Sequence, residues 1–144
     1  MPHRKMEAHT ARLVKSQDLN HHQTLFAGRA AEWFTETCFI AAARFTGDPA
    51  ALVCVRIHGL TFTQPAHTGD CVEIVARIAH TGRTSVTVCG EIFVNETSVP
   101  TVKGFATFVR VDPEGKAVPH GLALPEEYVS IHRNLFEEAG SLPR

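Results

Sequence analysis

Residues 20–45, NHHQTLFAGRAAEWFTETCFIAAARF, decide the fold of this chain. From Ala27 onwards the stretch is an unbroken run of residues that favour a helix. Apolar side chains recur three and four positions apart, which places them along one side of that helix and predicts that this side is buried. They are Ala30, Phe34, Cys38, Ala41 and Phe45, with Trp33 and Ile40 widening the same side.

The residues around this run predict where the helix begins and ends. Thr24 is a candidate N-cap, because its hydroxyl can accept a hydrogen bond from a backbone N–H one turn on. Gly28 falls in the first turn, where the missing side chain lets another group approach the backbone closely. The sequence TGDP at 46–49 predicts that the helix ends near Phe45.

The remaining segments predict strands and one more helix. Alternation of apolar and polar residues predicts a weak first strand and four longer ones, at 11–16, 51–63, 71–79, 84–94 and 101–111. Gly59 predicts a bulge, and 125–139 predicts a short terminal helix. One helix with an antiparallel meander is an α+β layout. Because one helix cannot cover both faces, we expect the sheet to curl around it and to pair its outer face or edge with another copy.

Length and composition limit the classes of function. The 144 residues suit one domain, 1–144. A net charge of −1 argues against nucleic acid as a partner. No apolar run approaches the roughly 18 residues that a membrane span needs, and the polar start MPHRKMEAHT does not resemble a signal peptide. The sequence therefore predicts a cytoplasmic protein without a membrane partner.

Cysteines and histidines give no sign of a metal site. The four cysteines lie far apart in apolar segments without a CxxC pair, which predicts buried free thiols. Nine histidines are present without HxxxH or HExxH spacing. We therefore predict no metal site. The cysteines are Cys38, Cys54, Cys71 and Cys89.

Four short motifs, in order, resemble those of the hotdog-fold acyl-CoA thioesterases, in the acyl-CoA hydrolase branch. Residues 20–28, NHHQTLFAG, resemble that family's N-x-x-G-T-L-F-G-G, and 62–70 resemble its F-x-x-P-x-x-x-G-D. Residues 82–85 are the family's G-R-T-S, and 105–119 resemble its last strand and the turn after it. The resemblance covers about residues 11–122 and leaves 123–144 as a C-terminal extension.

The resemblance implies a five-stranded antiparallel sheet wrapped around one long central helix. It further implies a homodimer with one continuous sheet, commonly assembled into a hexamer as a trimer of dimers. The substrate would be an acyl-CoA at the dimer interface, hydrolysed to a free carboxylic acid and coenzyme A. No cofactor is expected, since coenzyme A is part of the substrate.

Hydrolysis of a thioester needs a polarised carbonyl and an activated water or carboxylate nucleophile. Backbone N–H groups of Ala27 and Gly28, at the positive end of the helix dipole, can polarise the carbonyl. Asn20 can orient the water or the carbonyl, or simply stabilise its loop. Glu36 or Glu32 can supply the carboxylate, although both also suit a solvated face.

This chain departs from the family at the expected catalytic aspartate. The position seven residues beyond Gly28 is Thr35, and Glu36 follows it. We predict that Glu36 takes the carboxylate role. The alternative is an acyl-CoA binding protein without catalysis, and a dehydratase of the same fold is a further, weaker reading.

Coenzyme A needs cations for its phosphates and a backbone edge for pantetheine. The resemblance assigns this role to the hairpin and to two further cations, although each residue alone also fits a solvated charge or turn. The candidates are Arg83, Thr84, Ser85, Arg29 and Lys116. His58 stands where many relatives have an aspartate, and we interpret it as structural.

Overall fold

A computed structural model describes residues 4–143, with no description of the Arg4 side chain. All five strands of one antiparallel sheet pack against a single long helix, α1. The elements are β1 Glu7–Leu13, α1 Ala27–Thr46, β2 Leu52–Phe62, β3 Cys71–Thr81, β4 Ser85–Val94, β5 Val102–Arg110, α2 Glu126–Ile131 and α3 Arg133–Gly140. The predicted α+β architecture, a sheet around one helix, is confirmed.

The strands are arranged in the order β1-β3-β4-β5-β2. Short connections join β3, β4 and β5, which lie side by side. Strand β2, which precedes them in the chain, pairs with β5. Strands β1 and β2 therefore form the two edges of the sheet. The predicted bulge lies in β2, where the register shifts between Ile57 and Leu60 and Gly59 has φ +75°.

The predicted apolar side of α1 is buried against the sheet, except for Ile40 and Phe45, which are only partly buried. Phe34 and Cys38 lie against Gly90 of β4, and a Cβ atom there would stand 2.5 Å from the Phe34 ring and 2.8 Å from Cys38 Sγ. The lack of a side chain at Gly90 thus lets the helix approach the sheet closely.

The two ends of α1 follow different rules. The helix ends at Thr46, and Gly47 at φ +75° donates its N–H to the Ala43 carbonyl, as the sequence predicts. At the start, the prediction that Thr24 caps the helix is wrong. Phe26 holds the N-cap position without a side-chain hydrogen bond, because the Thr24 hydroxyl is bonded to Asn20 instead.

The first strand lies further towards the N-terminus than predicted. It runs over Glu7–Leu13 instead of 11–16, because it pairs residue for residue with β3, from Glu7 opposite Arg77 to Leu13 opposite Cys71. An ion pair of 3.1 Å between Glu7 and Arg77 marks its beginning. The partner strand, rather than local alternation, fixes the limits of β1.

The C-terminal segment forms two short helices that meet at His132, where a single helix was expected. Ala139 of α3 packs on the outer face of the sheet against Ala79, Cys89 and Phe105. The fully buried Tyr128 donates its hydroxyl to the Ile78 carbonyl at 2.6 Å. This chain therefore covers part of its own outer face, which we expected another copy to do.

The cysteines separate into two pairs. Cys38 and Cys89 are buried, as predicted, and all four are free thiols. Burial raises the pKa of the Cys38 thiol, and burial together with the Glu91 carboxylate raises the pKa of Cys89 to about 12. The prediction is wrong for Cys54 and Cys71, which are exposed because they lie on an edge strand and at the start of β3.

Residues 4–143 contain no helix that is both long enough and apolar enough to cross a membrane. Over the same residues, no group of three His, Cys, Asp or Glu side chains is arranged to hold a metal ion.

Candidate active site

A cleft of about 300 Å³ opens where α1 begins. It lies between the loop that leads into the helix, the end of β2, and the ends of β4 and β5 that adjoin it. Asn20, Thr24 and Ala27 stand on the loop and helix side. The other lining residues are mostly apolar: Leu25, Ala30, Phe62, Thr63, Gln64, Pro65, Ala66, Val72, Ile92, Val94, Thr101 and Val102.

Asn20 holds the loop beside the cleft in one shape. Its Oδ1 accepts the backbone N–H groups of His22 at 2.8 Å and Thr24 at 3.2 Å. Its Nδ2 donates to the Thr24 hydroxyl at 3.0 Å. Gln23, where the family has glycine, has φ +64°, a left-handed conformation that favours glycine. Within a single chain, Asn20 therefore stabilises its loop, which is one of the two roles predicted for it.

Asp18 anchors the start of this loop to α1. No role was predicted for this residue from the sequence. The residue is 5% exposed. Its carboxylate accepts the Lys15 N–H at 2.9 Å and stands 3.4 Å from Arg29 Nε, while its carbonyl accepts the Phe26 N–H at 2.9 Å. The buried charge thus ties the start of the loop to the first turn of α1. Only the opposite signs of residues 18 and 29 gave a hint in the sequence.

The first helical turn leaves two donors available. Phe26 N–H is bonded to Asp18, and Arg29 and Ala30 N–H both reach the Phe26 carbonyl. Within residues 4–143, the N–H groups of Ala27 and Gly28 have no such acceptor. Ala27 also lines the cleft. These two donors, at the positive end of the helix dipole, can bind an oxygen that gains negative charge.

Gly28 is approached by a group of this chain itself. A Cβ atom at that position would stand 2.5 Å from the ring of Phe26, so the ring lies directly over the glycine. Phe26 is also 53% exposed. The expected close approach at Gly28 is thus made by Phe26, which the sequence reasoning had given no role.

Glu36 lies outside the cleft. Its Oε1 is 2.6 Å from Arg12 Nη2 on β1, and its side chain is 52% exposed. Glu32 is also exposed, at 65%, and stands 4.0 Å from Arg29. None of the described residues that line the cleft is acidic. A single chain therefore does not bring either candidate carboxylate to Asn20 and Ala27.

The Thr35 and Glu36 side chains leave α1 about 100° apart, because the residues are neighbours in a helix. Thr35 lies one turn before Phe39, whose ring contacts Phe108 of β5 with centroids 5.9 Å apart. The Thr35 hydroxyl donates to the Ala31 carbonyl at 2.8 Å. The family's aspartate position therefore lies on the side of α1 towards β5, whereas Glu36 faces β1.

Four of the five predicted coenzyme A residues lie at the other end of the sheet from the cleft: Arg83, Thr84, Ser85 and Lys116. The imidazole Nε2 of His120 donates to the Ser85 carbonyl at 3.1 Å, and the backbone N–H of His120 donates to the Arg83 carbonyl at 3.2 Å. Thr84 accepts the Arg110 N–H, and Lys116 lies in the turn after β5. Arg29 is apart from these, at the start of α1 beside Asp18.

His58 lies on the outer face of the sheet. Its Nε2 is 2.7 Å from the Thr107 hydroxyl, which is 2.8 Å from the Thr87 hydroxyl. A separate cavity of about 270 Å³ adjoins these side chains. His58 contributes nothing to the cleft at α1, in agreement with a structural role.

The sheet, the enclosed helix and the cleft at its start define a hotdog fold. Residues 22–101 match the Thioesterase superfamily. The acyl-CoA thioester hydrolase YciA of Escherichia coli K12 is 30% identical over 113 residues, 72% of this chain and 83% of that protein. The chain belongs to the Thioesterase superfamily.

Solved structures agree with this assignment. An acyl-CoA hydrolase of Staphylococcus aureus, in complex with butyryl coenzyme A, coenzyme A and coenzyme A disulfide, superposes with TM-score 0.80 at 28% identity. The match covers 93% of this chain and 79% of that one. A hexameric thioesterase of Yersinia pestis gives TM-score 0.71 at 28% identity, over 79% of this chain and 94% of that one.

Proposed function

We propose that this protein hydrolyses acyl-CoA thioesters to a free carboxylic acid and coenzyme A. The observation on which this rests is the pair of available N–H groups at Ala27 and Gly28 beside a largely apolar cleft. A thioester carbonyl bound there would gain negative charge on its oxygen during attack. Each donor of this kind contributes about 10²–10³-fold to the rate in other hydrolases.

Attack on the carbonyl needs a carboxylate that the cleft lacks. We assign this role to Glu36. Because it does not line the cleft, its carboxylate has to leave the ion pair with Arg12 and approach the bound thioester carbonyl from outside. It would act as general base on water or as nucleophile. The resemblance implies that this carboxylate comes from a second protomer. Because Glu36 faces β1, the sheet edge opposite to β2, its side chain has to turn away from Arg12 to act there.

The edge strand β2 suits pairing with a second copy. Val53, Val55 and Ile57 are 43%, 56% and 44% exposed along an edge whose backbone groups are free to pair. Antiparallel pairing of β2 with its copy would join two five-stranded sheets. We propose this dimer as the working unit, and three such dimers would make a hexamer like that of the Yersinia pestis relative.

The same pairing supports the assignment of the coenzyme A residues. Within one chain, β4 separates the hairpin at Arg83 from the cleft by about 30 Å. Antiparallel pairing places the start of β2 in one protomer beside the end of β2 in the other. The hairpin of one protomer then lies about three strand spacings, roughly 15 Å, from the cleft of its partner. Arg83, Thr84 and Ser85 of one chain would bind coenzyme A whose acyl group enters the other.

A protein that binds acyl-CoA without cleaving it is the second candidate. Thr35 stands at the family's aspartate position, and Glu36 is held by Arg12 on the side of the helix that faces β1. Neither observation provides a base at the cleft. Binding through the hairpin and the two N–H donors would persist without hydrolysis.

Thiol release from a panel of acyl-CoA substrates distinguishes the two functions. Release by the native protein supports the hydrolase. Tight binding by calorimetry with no thiol release supports the binder. A blank without substrate is essential, because Cys54 and Cys71 are exposed and react with thiol reagents.

Two substitutions in α1 then test the base. Glu36→Gln should lower kcat by about 10²-fold or more if Glu36 is the base. Thr35→Asp restores a carboxylate at the family's aspartate position, so recovery of activity in the double variant Glu36→Gln/Thr35→Asp would show that position 35, and not Glu36, is the place of the base. If Glu36→Gln retains activity and Thr35→Ala abolishes it, the assignment to Glu36 is wrong.

A further inference from the structure

We propose that the acyl chain enters the cleft of the protomer that binds its carbonyl, and that the cleft accepts aliphatic chains of up to about eight carbons. This inference rests on the proposed site at Ala27 and Gly28. It adds the substrate class and the residues that limit its length.

The direction of the chain follows from the arrangement of the cleft. Ala27, which carries one of the two available N–H groups, stands at its helix side. A carbonyl bound there has Ala30 one turn deeper along the helix, at 1% exposure. Val72 and Ile92, each 1% exposed, and Val102 at 4% line the sheet side. The group attached to the carbonyl carbon therefore meets the apolar space between helix and sheet.

The lining favours hydrocarbon over polar or charged acyl groups. None of the described lining residues carries a charge. Thr101, a buried polar residue in the cleft, is already hydrogen-bonded through its hydroxyl to the Ile92 carbonyl at 3.3 Å. In the deep part of the cleft, between Ala30, Val72 and Ile92, a polar acyl group would lose its hydrogen bonds to water without replacement.

The volume limits the chain length. A water molecule occupies about 30 Å³ in the liquid, and a methylene group is of similar size. Because the cleft of about 300 Å³ opens to solvent, about ten such groups is the upper limit of what it encloses. The carbonyl carbon and oxygen use two of them, which leaves space for about eight further carbons.

Ala30 is the residue that most directly sets this limit. Its side chain ends at Cβ, so that the space above it belongs to the cleft. A leucine at this position would add three carbons to the wall. Val94, partly buried on the opposite side, has the converse effect, since its truncation to alanine would lengthen the space by about two carbons.

Calorimetry with S-alkyl-CoA thioethers, which cannot be hydrolysed, tests the proposal. The dissociation constant should fall about fourfold for each added methylene while the chain enters the cleft. It should then stay level beyond about eight carbons. In Ala30→Leu the level region should begin about three carbons earlier, with affinity for the ethyl and propyl thioethers unchanged. In Val94→Ala it should begin about two carbons later.

Ala43→Leu is the matched control. It makes the same change on α1, about 20 Å along the helix from Ala30 and away from the cleft. This variant should keep the native chain-length profile. The proposal is overturned if native affinity keeps rising to dodecyl, or if both cleft variants keep the native profile.

The outcome is separable from that of the proposed function. Thioether binding with the expected limit, but without release of thiol from any acyl-CoA, would support the cleft and refute the hydrolase. Hydrolysis with no dependence of thioether affinity on chain length would do the reverse.

Discussion

Arg12 of β1 and Glu36 of α1 form an ion pair in which Nη2 and Oε1 lie 2.6 Å apart. The Arg12 guanidinium also stands 5.7 Å from the centroid of the Trp33 ring. This pair fastens the side of the helix that faces β1. It also fixes the direction of the Glu36 carboxylate, which lies next to Thr35 in the chain.

We expect the Arg12–Glu36 pair to contribute little to stability. The two side chains are 41% and 52% exposed, and solvent screens such pairs to less than about 1 kcal/mol. Arg12→Met should lower the free energy of unfolding by no more than that amount, as measured by urea denaturation. A loss above about 2 kcal/mol would mean that the pair is a structural clamp, which would make its opening during catalysis implausible.

The contact between Gly90 and Phe34 predicts a larger effect. A methyl group at Gly90 would stand 2.5 Å from the Phe34 ring, and overpacking of this kind costs about 1–3 kcal/mol. Gly90→Ala should therefore lower the urea midpoint. Gly140→Ala is the control, because a Cβ atom there meets nothing within 4 Å. Equal midpoints for the two variants would contradict the close packing of α1 on β4.

The buried thiols predict a loss of stability at alkaline pH. Burial raises the pKa of Cys89 to about 12, against an ordinary value of 9.0 for a thiol. Between these values the unfolded chain releases a proton that the folded chain retains, so the stabilisation is complete below pH 9 and falls as pH rises. The slope should be about 1.4 kcal/mol per pH unit for each such thiol.

Cys89→Ala isolates the contribution of this thiol. Urea denaturation under reducing conditions at pH 8, 9.5 and 11 should show a shallower decline than in the native protein. Part of the decline in stability with pH should remain in the variant, because burial also raises the pKa of Cys38. Identical slopes for variant and native protein would show that Cys89 ionises without penalty.

The β2 edge predicts the assembly state. Val55 is 56% exposed on the strand that we propose to pair, and a charge there should prevent pairing. Val55→Lys should yield monomers in analytical ultracentrifugation and should lose thioesterase activity. Val99→Lys, at a residue that is 71% exposed in a loop, should change neither. An active oligomer of Val55→Lys would place the interface elsewhere.

Patterns within one element were predictable from the sequence. The buried side of α1 and the four strands after it follow from periodicity, and Gly47 ended the helix near the expected residue. The failures depend on partners distant in the chain. The limits of β1 depend on β3, and the role of Thr24 depends on Asn20 rather than on the helix.

In the candidate site, too, the features set by neighbouring residues were predictable, and those set by distant partners were not. Asn20 and Ala27 lie at the cleft because the loop and the helix start that hold them are contiguous in the chain. The direction of Glu36 depends on which strand packs against that side of α1, and periodicity does not specify this. Whether residue 36 acts in catalysis stays a prediction.

The Tyr128 hydroxyl lies 2.6 Å from the Ile78 carbonyl and 3.4 Å from that of Met6, a residue 122 positions earlier. At about 5–20 residues per second, a ribosome that has just made Met6 needs on the order of ten seconds to reach Tyr128. The beginning of β1 must wait that long for its cover. A nascent chain would meanwhile expose this corner of the sheet to chaperones, and release from the ribosome would close it.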